Sequence, residues 1–514
     1  MNEHFRAAKD LIIDYYEAPR WRVPTRGYGR VDHVEFNTSR PTTALVAIDL
    51  VDADWLDAQA HQDDKFAVHD SVRRSAAWKA FKHRVNRNAS HPSPFENAPI
   101  FRLEIELSQT ASWFGLPPLP PPKSQSFDSD LARLETQWIE LDGISEASDA
   151  TVDGAGLLYP SLFSEPITVV AKGRLPSAQQ GKALSDIFSL SHLPDADTAD
   201  LQRVFSKSSA DLLAVYDVGQ GNANALLSAG RQAMLYFDMG AGVYRNRLTT
   251  PPDLRFCLSA HPTIILSHWD ADHWAGACAT SIGGRYPALN ESWIAPLQEV
   301  GPVHVAFAHD IVTNGGTLNI YSVPSGTIGS TSAASGQSVT FIKGTGPTRN
   351  GSGIVLSLDH STLPKGPGRW LLTGDCDYGY FMPSLTPTPA IAIVVPHHGA
   401  DLHSSHSVPT MTTAQNYRRI VYSFGKDNAH GSTSVQHPTV SGVTPHVNAG
   451  WNHGAWIPIM LKPGCSFPGG DALATCEHTP GTNRGGALIG WDAAPIPFAL
   501  PCKGTECSAS LMQS

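Results

Sequence analysis

At 514 residues the chain exceeds one ordinary hydrophobic core, so two domains with a tail are the default expectation. Its 47 acidic against 37 basic residues leave a formal charge of −10, which disfavours unspecific adhesion to DNA or to anionic membranes, although a local basic groove stays open. Charged residues make up only 16%, and 44 Gly with 39 Pro imply many turns, so a sheet-rich, loop-rich protein is expected.

From the amino terminus, Met1 to Arg20 mixes Glu3, Arg6, Lys9, Asp10 and Asp14 with apolar residues and offers no continuous apolar core for a signal peptide. No window approaches the length of a membrane span, which points to a soluble, cytoplasmic protein without a membrane partner. Residues 1–205 show no repeat and no catalytic motif, and are read as an amino-terminal domain of unknown fold that selects a substrate or a protein partner. Within it, Ser71 to Asn88 reads as a helix with Trp78, Phe81 and Val85 on one face and a basic, solvated opposite face. Gly115 to Pro122 reads as a stiff polyproline linker, and Leu131, Leu134, Trp138 and Leu141 trace a short helical pattern in the acidic stretch Asp128 to Asp153.

A second regime starts near Asp211. Strands are expected at Leu212–Tyr216, Ala223–Leu227, Met234–Asp238, Thr263–Leu266, Thr317–Val323, Val339–Lys343, Ile354–Leu358, Trp370–Thr373, Ile391–Val395 and Ile420–Ser423. Strands dominate and helices only intervene, so an α+β arrangement of two sheets with outer helices fits better than a doubly wound parallel sheet. Beyond Gly464, residues 465–514 form a Cys-, Gly- and Pro-rich extension, expected to pack irregularly and to fray over Ser508 to Ser514. The seven cysteines are too scattered for a disulfide framework. Cys465, Cys476, His478, Cys502 and Cys507 lack a close Cys-x-x-Cys knuckle, which favours free thiols over a structural zinc.

The chemistry concentrates at Ser267-His268-Trp269-Asp270-Ala271-Asp272-His273, entered through the apolar run Thr263 to Leu266. Two imidazoles and two carboxylates at one strand end suit Zn²⁺, Mn²⁺ or Fe, and their density lets two ions share a site. Thr373-Gly374-Asp375 and Pro396-His397-His398-Gly399 each follow a later apolar strand, so strand-end loops can bring distant ligands together. With two ions about 3.5 to 4 Å apart, a bridging water becomes hydroxide near neutral pH and attacks phosphorus or an ester carbonyl.

The ordered set Asp217-Val218-Gly219-Gln220-Gly221, Phe237-Asp238-Met239-Gly240, His268-x-Asp270-x-Asp272-His273, Asn350-Gly351-Ser352-Gly353, Thr373-Gly374-Asp375 and Pro396-His397-His398-Gly399 resembles the metallo-β-lactamase superfamily. Within it the sequence is most similar to the hydrolase domain of bacterial DNA-uptake competence channel proteins, over about Asp211 to Gly464. The resemblance implies an αββα sandwich spanning about 206–464, with a metal site at one edge. It implies that His268 and Asp270 hold one ion, Asp272 and His273 the other, that Asp375 bridges, and that His397 completes the second ion, with His398 an open alternative. Asp217 and Asp238 would buttress the site by hydrogen bonding. In the same family an asparagine and a His-Pro pair follow, and Asn428 with His437-Pro438 is similar, His430 being a rival for the last histidine.

The sequence departs from the superfamily in lacking a clear further histidine before the bridging aspartate. His304 and His309 stand without the expected glycine context, and a lone histidine is more often a structural donor. Asp270 at the usual second-histidine position hardens the first site and admits Mn²⁺ beside Zn²⁺. Asn350 reads equally as a turn residue or a substrate contact, and Cys376 as a small buried residue.

The expectation is thus a metal-dependent hydrolase, a phosphodiesterase or nuclease acting on nucleic acid or nucleotides through a metal-bound hydroxide, with Asp272, His273 and Asp375 as its catalytic residues. A nuclease needs a basic approach to its metals, so an acidic rim counts against it. Two alternatives stand beside it. One is hydrolysis of a lactone, thioester or lactam in an apolar pocket lined by Trp269 and Trp274, residues that equally suit packing. The other is a regulated effector whose amino-terminal domain binds a partner protein.

Overall fold

The computed structural model describes residues 1–5, 22–36, 43–63, 95–108, 126–148, 155–205, 210–252, 254–279, 285–332, 336–402, 407–411, 413, 416–429, 436–454, 470–476, 484–496 and 511–513. The amino-terminal region is built on six strands, β1 Arg26–Phe36, β2 Thr43–Asp52, β3 Ile100–Ser108, β4 Trp138–Glu146, β5 Ala155–Tyr159 and β6 Ile167–Arg174. They close into a barrel in the order β1-β2-β3-β5-β6-β4, which leaves no edge strand. β3 shows why: Leu103, Ile105 and Leu107 alternate with Arg102, Glu104 and Glu106, so one face enters the barrel core with Val46, Ile48, Leu50 and Leu141. The acidic helix is shorter than expected. It covers Phe127–Glu135, while Trp138 and Leu141 lie on β4 because their neighbours pair with β1.

The remaining strands are β7 Asp195–Ala196, β8 Leu212–Val215, β9 Ala223–Leu227, β10 Ala233–Met239, β11 Thr263–Ile265, β12 Ser292–Pro296, β13 Thr317–Tyr321, β14 Ile328–Ser332, β15 Gln337–Lys343, β16 Ile354–His360, β17 Gly368–Leu372, β18 Ala390–Val394, β19 Arg419–Tyr422, β20 Ala472–Ala474, β21 Arg484–Ile489 and β22 Leu511–Gln513. They form a nine-stranded sheet, β22-β21-β8-β9-β10-β11-β12-β13-β7, and a seven-stranded sheet, β14-β15-β16-β17-β18-β19-β20. The protein is therefore α+β, with several sheets. Leu213, Val215 and Phe237 of the first sheet share one buried cluster with Leu356, Trp370 and Val394 of the second. A second cluster joins the first sheet to the amino-terminal region through Phe5, Tyr28, Trp274 and Phe307.

Both sheets draw on residues outside 206–464. β7 pairs with β13, β20 with β19 and β21 with β8, so the region after Gly464 supplies strands rather than only an irregular extension. Leu511–Gln513, expected to fray, runs parallel to β21. Among the described residues no helix is long and apolar enough to cross a membrane. Cys278 and Cys376 are free and buried and Cys476 is buried, whereas Cys257 is disulfide-bonded, which the scattered spacing does not announce. The expected helix at 71–88, the segment 115–122, His430, Cys465, His478, Cys502 and Cys507 lie outside the described residues.

Candidate metal centre

β10 runs parallel to β11, and β17, β18 and β19 run parallel to one another, so within each sheet the carboxyl ends of these strands lie side by side. Asp238, Ser267 to His273, Asp375, His397 and His398, and Ser423 all sit at or just beyond those ends. Backbone contacts seat the loops. A Cβ on Gly240 would collide with the carbonyl oxygen of Asp272, and Asn222 N donates to that oxygen at 3.1 Å. Gly374 adopts φ +54 with Ser267 directly against it, a place only glycine fills without strain.

Asp375 stands between the two halves of the centre. Its Oδ1 lies 3.0 Å from His273 Nε2 and its Oδ2 3.8 Å from His268 Nε2. Asp270 Oδ2 is 3.3 Å from His268 Nε2, and Asp272 Oδ2 is 3.1 Å from His398 Nε2. His268 and Asp270 thus gather on one side, and Asp272, His273 and His398 on the other. His398, rather than His397, meets the second group. Consecutive left-handed conformations, φ 49 and φ 54, splay the two rings, and His397 Nε2 approaches Asp375 Oδ2 at 3.8 Å.

Hydrogen bonds at the opposite nitrogens of these rings set which nitrogen faces the centre. His273 Nδ1 donates to Asp238 Oδ2 at 2.9 Å, and His398 Nδ1 to the Ser423 carbonyl at 2.7 Å. Ser267 Oγ donates to Asp238 Oδ2 at 2.9 Å, leaving its lone pairs for His268 Nδ1, also at 2.9 Å. In the neutral rings every Nε2 therefore carries a lone pair, and each lone pair faces a carboxylate. Lone pair against carboxylate at this range is repulsive unless a proton or a metal cation lies between. His268 Nε2, His273 Nε2 and Asp375 Oδ1 are buried and, among the described residues, find no well-aligned hydrogen-bond partner.

The same confrontation shifts the protonation equilibria of both partners. Burial works against a charged His273, yet the Asp375 and Asp238 carboxylates hold it well above the usual histidine range. Burial likewise opposes ionised Asp375, but the surrounding imidazoles hold it well below the usual carboxylate range. Asp270 is also depressed, with Arg349 the largest force against burial. Arg349 Nε donates to Asp270 Oδ1 at 2.6 Å, leaving Oδ2 turned to His268. Nothing in the sequence singles out Arg349, which follows Thr348 and precedes Asn350.

The barrel reaches this edge. Arg349 Nη1 pairs with Asp32 Oδ1 of β1 at 2.7 Å, and Arg102 of β3 pairs with the other Asp32 oxygen. His33 Nε2 lies 3.2 Å from Glu35 Oε2, whose partner oxygen lies 3.4 Å from His437 Nε2. A cleft of about 660 Å³, including the part open to solvent, is walled by Leu45, Arg102 and Glu104 of the barrel and by Tyr244 to Asn246. Arg245 pairs with Glu104 at 3.3 Å, so both arginines of the wall are already matched by carboxylates.

The other predicted residues divide clearly. Asp238 is fully buried and also accepts Ser267 N at 2.7 Å, a buttress for the loop from Ser267 to His273. Asp217 Oδ1 accepts Gly219 N at 3.1 Å, a turn contact. The Asn350 carbonyl accepts from Gly353 N. Asn428 clasps the His437 backbone, with its Nδ2 donating to the His437 carbonyl at 2.6 Å. His304 lies 2.8 Å from Asp32, and His309 stacks on His192, both away from Asp375. Trp269 and Trp274 are fully buried, with Trp274 stacked on Phe307, so they pack rather than line the cleft.

No protein-family model matches this chain, and no curated protein matches it either.

Proposed function

We propose that the chain is a metal-dependent hydrolase built on the αββα sandwich of the metallo-β-lactamase superfamily, cleaving phosphodiester bonds in a nucleotide or a short nucleic-acid end. The reading is carried by the three donor atoms of His268, His273 and Asp375, buried, facing one another and, among the described residues, without a well-aligned hydrogen-bond partner. Imidazole nitrogens and carboxylate oxygens are the donor set of Zn²⁺ and Mn²⁺. His268, Asp270 and Asp375 would hold one ion, and Asp272, His273, His398 and Asp375 the other. Paired divalent cations there supply Lewis acidity and lower the pKa of water toward neutrality.

The protein's own contribution is orientation and exclusion. Asp238, Ser267 and Ser423 fix which nitrogen of each ring faces the centre, and Arg349 fixes Asp270. The barrel wall narrows the approach. Because the arginines of the wall are charge-matched, no basic track of the kind a long duplex needs lines it among the described residues, which supports a compact substrate. The buried position of both tryptophans weakens the acyl-substrate alternative. The free buried thiols of Cys278 and Cys376 suit a cytoplasmic setting, while the disulfide at Cys257 pulls the other way.

The test is metal content by elemental analysis, paired with hydrolysis of a generic phosphodiester and of linear DNA under Zn²⁺ and Mn²⁺. Bound metal with faster cleavage of the small ester than of duplex DNA is the expected result. Bound metal with neither cleavage sinks the phosphodiester assignment, and no bound metal sinks the hydrolase reading.

A further inference from the structure

One histidine at the rim of the Asp375 centre also faces a second group of potential ligands. His397 Nε2 lies 3.8 Å from Asp375 Oδ2, and its ring also lies 6.1 Å from that of His33 on β1 and 5.3 Å from that of His437. One donor atom each from His33, Glu35 and His397 lie within 4.8 Å of one another. We propose that these three residues form a further divalent-cation site astride the junction of the barrel and the two-sheet body, holding Zn²⁺ or a similar borderline ion.

The local structure favours this over a plain hydrogen-bonded pair. His33 and Glu35 are two apart on β1, so both point to the same side. A bulge in the β1–β2 pairing falls between Val31 and His33, the kind of irregularity that re-aims a strand's side chains beside functional sites. A His33–Glu35 contact would be complete by itself, yet His397 and His437 also crowd the same carboxylate. Two imidazoles and a glutamate are a recognised catalytic zinc set, with coordination positions left for water or substrate. Glu35 has the support expected of a ligand, because His437 Nε2 lies 3.4 Å from its second oxygen. His33 and His397 both line the cleft beside Asp270 and Asp375, so an ion held there would face the same substrate.

This site does not depend on the substrate assignment, but it makes the barrel part of the active cleft. Crystals of the full chain soaked in Zn²⁺ and measured at the zinc absorption edge test it directly. The expected result is an anomalous peak enclosed by His33, Glu35 and His397, separate from those around Asp375. A filled Asp375 centre with no peak at Glu35 overturns this proposal and leaves the proposed function standing; no peak at either overturns both. In solution, Glu35→Gln and His33→Ala should each bind about one ion fewer per chain than wild type, while Asp272→Ala should lose ions and keep the Glu35 one. Equal ion counts in wild type and Glu35→Gln overturn the assignment.

Discussion

Two buried polar clusters sit near each other in this molecule and resolve their charges in opposite ways. Around Asp375, imidazole lone pairs confront carboxylates, and three donor atoms find no well-aligned hydrogen-bond partner among the described residues. Around Asp32, the carboxylates of Asp32 and Asp49 meet His304, but two guanidinium groups, Arg102 and Arg349, are already seated among them. Among the described residues, Asp49 Oδ2 and Arg102 Nε stay without a hydrogen bond there. Both clusters contain three potential metal ligands at close range. On the proposed reading, what separates a ligand site from a structural ion network is the absence of built-in cations, more than the count of histidines and acids.

The largest break in that contrast should come from the first cluster. Asp375→Asn, Asp272→Ala or His273→Ala should each lower turnover by roughly a thousandfold or more and reduce bound metal, with the unfolding midpoint close to wild type, on the scale of losing one transition-state stabiliser. Full turnover in any of the three would remove the two-ion centre. Arg349→Ala acts on the second cluster and should cost about 3 to 5 kcal/mol of stability, because Asp32 and Asp270 are left buried without their cation. An unchanged denaturant midpoint would show that the arginine is dispensable to the junction. Asp238→Asn, which weakens the hold on His273, should reduce metal affinity by about 10- to 100-fold, read by competition with a chelator.

The smallest effect is a change of pH slope. Burial and the neighbouring Asp32 push Asp49 up to about 7. Its folded form therefore holds a proton that the unfolded chain releases near pH 4, so stability should fall as pH rises from about 4 to about 7. Asp49→Asn cannot titrate. Its melting temperature should match wild type near pH 4 and exceed it at pH 8 by a few degrees, and parallel curves for the two proteins would rule out this linkage.

The sequence reads best where a strand is wholly buried. Ile354 to Leu358 and Ile391 to Val394 are near-continuous apolar runs, and both are strands covered on their two faces. The barrel is harder to see. β1 carries Arg26, Arg30, Asp32, His33 and Glu35 because one side meets ion pairs and imidazoles rather than lipid-like packing, so its alternation is broken by charge and by the bulge. β3 did carry a signal in its apolar and charged alternation from Ile100 to Ser108. At the site, the residues clustered in sequence could be named, since strand-end motifs travel with their strands. His33, Glu35 and Arg349 could not, because they reach the cleft only through contacts between distant segments.

The pairing of β21 with β8 sets the order in which the protein can be made. Leu488 lies opposite Ala214, so β8 emerges from the ribosome long before the neighbour that covers its outer edge. Until then that edge is a row of unsatisfied backbone groups open to other chains. Synthesis thus passes through a late window of aggregation risk, and expression at low temperature or with chaperones should raise the soluble yield by shielding that strand while its partner is being translated.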